Sequence, residues 1–80
     1  MSSTPAATLT RTVTSDGPVL RLAGRLDAQG VAAVWDQAVR EAARPGGARL
    51  GVDASAVDYC DISGMALLVE MRRQAEAASA

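Results

Sequence analysis

Between positions 8 and 14 threonine alternates with Leu9, Arg11 and Val13. A period of two in β-favouring residues predicts a strand with one covered face. Asp16-Gly17 supplies a tight hairpin turn, and Val19, Leu20 and Leu22 around Arg21 predict a second strand over residues 18–23, closed by Gly24. Asp27 then stands where a helix N-cap belongs. From residue 28 to 43, Val31, Val34, Trp35, Ala38 and Ala42 recur at spacings of three and four, while Asp36, Gln37, Arg40 and Glu41 fall on the other side. That pattern predicts an amphipathic helix, stopped near Arg44 by Pro45 and the Gly46-Gly47 turn.

Residues 48–53, with Leu50 and Val52, read as a short buried strand, and the strand–helix–strand order favours a parallel pair joined by a crossover. After a nine-residue connection, residues 63–78 form a second helix. Its Met65, Leu68, Met71 and Ala75 are expected to face the sheet, with Glu70, Arg73, Gln74 and Glu76 in water. The predicted fold is α/β, a mixed sheet in ββαβα order with helices packed on it. Eighty residues hold one modest core, so residues 8–80 are expected to be a single domain behind a Ser/Thr/Pro/Ala leader over residues 1–7.

Composition narrows the function by exclusion. With 49% apolar residues and a net charge of -1 the chain belongs among ordinary globular proteins, and it lacks the basic stripe that a phosphate backbone requires. Trp35 and Tyr59, its two aromatic residues, make no stacking platform, so no nucleic acid is expected. The absence of histidine removes the usual general base, the Ser-His and Cys-His pairs and most transition-metal sites. Gly46-Gly47 follows a helix, not a strand, and no nucleotide-binding glycine loop is present. The sequence therefore reads as a non-enzyme with no metal and no cofactor. A single Cys60 points to a reducing compartment and hence the cytoplasm. Even an apolar run such as residues 65–69, which no other exceeds, is far short of the roughly 18 to 20 residues needed to span a bilayer, so no membrane insertion by this segment is expected.

The informative stretch is Asp58-Tyr59-Cys60-Asp61-Ile62-Ser63-Gly64-Met65, running into the second helix. In open α/β sheets functional loops gather beyond the carboxyl ends of strands, and a helix start there offers unpaired backbone N–H groups and a partial positive charge. A phosphate on Ser63 would meet those donors while adding about -1.5 to -2 charges beside Asp58 and Asp61. The plainer reading is that Asp61 or Ser63 caps the helix. Cys60 reads as a structural thiol, Trp35 as core or interface anchor, and Arg72-Arg73 as part of a solvated face.

Taken together, Gly24-Arg25-Leu26-Asp27, Val52-Asp53-Ala54-Ser55-Ala56-Val57 and Asp61-Ile62-Ser63-Gly64-Met65 resemble the STAS domain family over roughly residues 13–77. The family includes anti-sigma factor antagonists and the STAS segments of sulfate transporters and Mla-type lipid-transport systems. The resemblance implies a small α/β interaction module. It also implies a further strand and helix after the second helix, which this sequence does not contain; the expectation is either a fragment of a longer permease or self-association through an open sheet edge. In the antagonists the hydroxyl residue before the motif's Gly is phosphorylated by the partner kinase. Ser63 holds that place here, with Ile62 where a Ser is usual. The run from Asp53 to Asp61 and the segment Gly64-Met65-Ala66-Leu67-Leu68-Val69-Glu70-Met71-Arg72-Arg73 look more like the STAS segment fused ahead of Mla-type ABC permeases. That likeness implies a cytoplasmic domain at the inner membrane contacting the ATPase subunit through Asp61, Ser63, Gly64 and Met65, with Asp58 and Ile62 beside them. The alternative is an anti-sigma factor antagonist whose partner is an anti-sigma factor kinase and whose switch is Ser63.

Overall fold

The computed structural model describes residues 7–44 and 50–79. Strand β1, Ala7–Thr14, turns through Ser15 and Asp16 into β2, Gly17–Leu26, and the two pair antiparallel from Ala7 opposite Gly24 to Thr14 opposite Gly17. Gly17 takes φ 123°, the left-handed region that a side chain disfavours, so the Asp16-Gly17 signal reflects a real backbone requirement. Gly24 does not close the strand as expected. It sits within β2 at φ 93°, beside an irregularity in the ladder, and the strand runs on to Leu26.

Helix α1, Ala28–Ala42, starts where Asp27 caps it, Oδ1 accepting from the Gly30 amide at 2.9 Å. Its expected stripe is the buried one: Val31, Val34, Ala38 and Ala42 enter the core and Trp35 packs partly buried against it. The chain then returns as β3, Gly51–Cys60, parallel to β2, giving the sheet order β1-β2-β3. The predicted turn at Gly46-Gly47 lies outside the described residues.

The short buried strand and nine-residue connection need correction, because β3 is ten residues long and leads to α2, Ile62–Ser79, through Asp61 alone. The register explains why the alternation was obscured. Asp53 pairs with Arg21 and Ala56 with Ala23, then Val57 with Gly24 and Tyr59 with Arg25. Each step inserts one extra residue on the β3 side and resets the period of two. The strand is also less buried than expected, Val52 being 43% exposed. Among the described residues it pairs with β2 alone, and it carries Asp53 and Asp58 besides these two irregularities.

The core is Ala7, Leu9, Leu20, Leu22 and Leu26 from the sheet, the α1 stripe, and Leu67 and Met71 from α2. Helix α1 enters closely at Gly30, where a Cβ would land on the backbone carbonyl of Arg25 and touch Ala7. Replacing glycine by alanine inside a helix ordinarily stabilises it by about 1 kcal/mol. Gly30→Ala is expected to do the opposite and lower the melting temperature in a thermal denaturation scan; a rise would show that the Arg25 carbonyl yields freely.

Candidate functional site

The motif from Asp58 to Met65 lies at the carboxyl end of β3, and its backbone is tied to the neighbouring strand end. The Asp61 amide donates to the Leu26 carbonyl at 3.2 Å, and the Met65 amide to the Asp61 carbonyl at 3.0 Å. Asp61 Oδ1 accepts from the Ser63 amide at 2.8 Å, so of the two proposed caps Asp61 fills the position. The Ser63 hydroxyl, half-buried in the first turn, makes no hydrogen bond among the described residues.

Gly64 sets how α2 lies. It is buried, and a Cβ there would stand 2.5 Å from Cys60 Sγ, 2.8 Å from Leu26 Cβ and 2.9 Å from the Leu26 carbonyl oxygen. The helix meets the sheet at Gly64 and along its length packs chiefly against α1, with Leu67 and Met71 buried in the core and Leu68 partly buried beside them. This corrects the expectation that Met65 faces the sheet: Met65 is 59% exposed. A glycine carries no apolar signal, so a stripe counted from apolar side chains starts one residue late. Glu70 and Gln74 are half-buried rather than fully in water, Gln74 Nε2 donating to Glu70 Oε2 at 3.1 Å, while Arg73 and Glu76 are exposed as expected.

The outward side of α2 is apolar. Ile62 is 84% exposed and Val69 59%, and together with Met65 and Ala66 they follow the helical spacing i, i+3, i+4, i+7. Trp35 of α1 flanks them, leaving an open groove of about 440 Å³ with Glu70 and Arg73 at its rim. Trp35 thus serves as core on one side and groove wall on the other. Val69 and Ala66 were absent from the sequence-predicted site, although their spacing from Ile62 was legible in the chain.

On the other side of the motif, Arg25 lies over the Tyr59 ring, 4.0 Å from its centroid, while its Nε donates to Asp27 Oδ2 at 2.8 Å. One guanidinium so links the α1 cap to the strand that delivers the motif. The Gly30 amide, and secondarily Arg25, hold the Asp27 carboxyl below its ordinary pKa, and the same pairing raises Arg25. Cys60 is exposed, its Sγ 3.6 Å from the Asp61 carbonyl oxygen. Asp58 is exposed near Arg25, and the two interact electrostatically. The structure thus gathers Asp61, Ile62, Ser63, Gly64 and Met65 on the first turn of α2, but with different aspects: Ile62 and Met65 outward, Gly64 inward, Asp61 and Ser63 between.

Among the described residues no three His, Cys, Asp or Glu side chains converge as a metal site requires, and no helix is long and apolar enough to cross a membrane. A family model described as "Mlab, STAS domain" matches residues 9–80. No curated protein matches the chain.

Two measurements probe this site. Gly64→Ala forces its Cβ onto Leu26 and Cys60 and is expected to cost about 1–3 kcal/mol in urea unfolding, in the range of core overpacking; an unchanged midpoint would show that α2 does not rest on Leu26. The depressed Asp27 carboxyl contributes stability that is present above its unfolded pKa of about 3.9 and is lost as pH falls through its folded value. Asp27→Asn keeps a capping oxygen without the charge, so the gap between the wild-type and Asp27→Asn midpoints is expected to close on acidification. A constant gap would contradict the charged cap.

Proposed function

The chain belongs to the STAS domain family, whose members act as non-catalytic interaction and regulatory modules, and from that premise we propose that it is a docking domain of an Mla-type lipid-transport system. In this reading it works at the cytoplasmic side of the inner membrane and engages the transporter's ATPase subunit through the end of β3 and the first turn of α2. The observation that carries the reading is the exposure of Ile62 and Met65 on that turn. Large apolar side chains held outward by a buried glycine and a capped helix start form a small anchor for a partner's apolar pocket, with Asp61 at its polar border and Asp58 on the strand that leads to it. The family description, which carries the word Mlab, supports the same assignment.

A second reading, an anti-sigma factor antagonist controlled by its kinase at Ser63, draws on one observation: with Asp61 as the cap, the Ser63 hydroxyl has no hydrogen bond among the described residues to lose on modification. A phosphate there would add about -1.5 to -2 charges beside Asp61 at the edge of the apolar anchor.

Binding to the ATPase subunit encoded nearest the gene separates the two. Wild type is expected to bind, and Met65→Asp to weaken binding at least tenfold, about 1.4 kcal/mol. Loss of binding in Ser63→Glu would place the interface edge at Ser63. Failure of the wild type to bind, together with a phosphate-sized mass increase on incubation with an anti-sigma factor kinase that Ser63→Ala abolishes, would replace the transporter reading with the switch.

A further inference from the structure

Strand β1 has a free edge: among the described residues it pairs with β2 alone. Its eight residues run along β2 without a register shift, and they include four threonines but no proline, glycine or acid. A straight, β-favouring and nearly uncharged edge is a template for addition of another strand, and natural proteins blunt such edges with a charge.

Arg11 is the one charge in the strand, and it stands where the pattern calls for an apolar residue. Leu9 lies opposite Leu22 and Arg11 opposite Leu20, and both β2 leucines are fully buried, so the odd positions of β1 share the face that the helices cover. Leu9 and Val13 suit that face, and the guanidinium interrupts them. Helix α1 supplies the counter-charge. Arg11 Nε lies 3.8 Å from Oε1 of the half-buried Glu41, which also accepts from Arg44 Nη1 at 3.0 Å. One turn earlier on the same helix, Gln37 Nε2 donates to the Leu9 carbonyl at 3.4 Å and ties α1 to this part of the strand.

We propose that Arg11, seated on Glu41, guards this edge and keeps a second copy of the chain from adding its own β1 to the sheet. The open face sets no obstacle to an antiparallel β1–β1 pair, because threonine would meet threonine there, a favourable cross-strand contact. The helix side does. Every register that keeps the two open faces together puts Arg11 of each copy opposite Ala7, Leu9, Val13 or the other Arg11. Each Glu41 already holds two arginines, so the pair would gather four guanidiniums around two carboxylates and strip water from them. In the single chain 36% of the Arg11 side chain stays exposed, and the ion pair carries no such cost. The inference is independent of what docks at α2.

Sedimentation velocity from micromolar to millimolar chain, with amide hydrogen exchange to locate any contact, tests the guard. Arg11→Val and Arg11→Thr are expected to self-associate at least tenfold more tightly than wild type, with slowed exchange of the β1 amides. Arg11→Lys keeps the charge and is expected to sediment as wild type does. Arg11 is outside the core, so a thermal scan is expected to show all three variants folded; threonine, already frequent in the strand, serves as the second variant should valine perturb it. Arg11→Val and Arg11→Thr chains that both sediment as wild type would overturn the proposal. So would association that leaves β1 exchange unchanged, or a wild type that already pairs through β1.

Discussion

Both helices hang from the end of β2. Leu26 is fully buried; its carbonyl receives the Asp61 amide, and its Cβ lies under Gly64. The next residue, Asp27, caps α1 and holds the guanidinium that covers Tyr59. Two adjacent residues therefore set the start of α1, the exit of β3 and the distance of α2 from the sheet. Backbone contacts of this kind are stringent, because a carbonyl cannot rotate out of the way as a long side chain can. The glycines at 30 and 64 occupy the two places where a helix meets that strand end, against the Arg25 and Leu26 carbonyls respectively.

The outward stripe is a consequence of this anchoring. Once Gly64 faces Leu26, the 100° step of an α-helix puts Leu67 and Met71 inside and leaves Ile62, Met65 and Val69 outside. Keeping large apolar groups in water forgoes roughly 1.5–3 kcal/mol per side chain relative to full burial. A small domain with a modest core does not carry such residues together for its own stability, and their clustering beside Trp35 is what an interaction module requires. The polar groups of the motif act mainly in support, Asp61 by fixing the helix start and Arg25 by holding Tyr59 at the strand end.

Much of this organisation was legible in the chain. The α1 stripe from Val31 to Ala42, the Asp27 cap and the parallel return strand were readable because each depends on local spacing or a single side chain. The extent of β3 was not, because two inserted residues break its alternation, and neither was the continuation of β2 across Gly24. The face of α2 was misread for a related reason: its closest contact is made by a residue without a side chain, and hydrophobic patterning assigns that position no weight. Within the site, the motif positions were readable, but the groove was not, since it exists only where Trp35 of α1 comes alongside α2.

The orientation of α2 is the point on which fold and function meet, and methyl-resolved NMR with a soluble paramagnetic probe measures it directly. Strong broadening of the Ile62, Met65 and Val69 methyls with protection of Leu67 and Met71 is the predicted result. Equal broadening of Leu67 and Ile62, or protection of Met65, would contradict the anchoring at Gly64 and with it the docking surface.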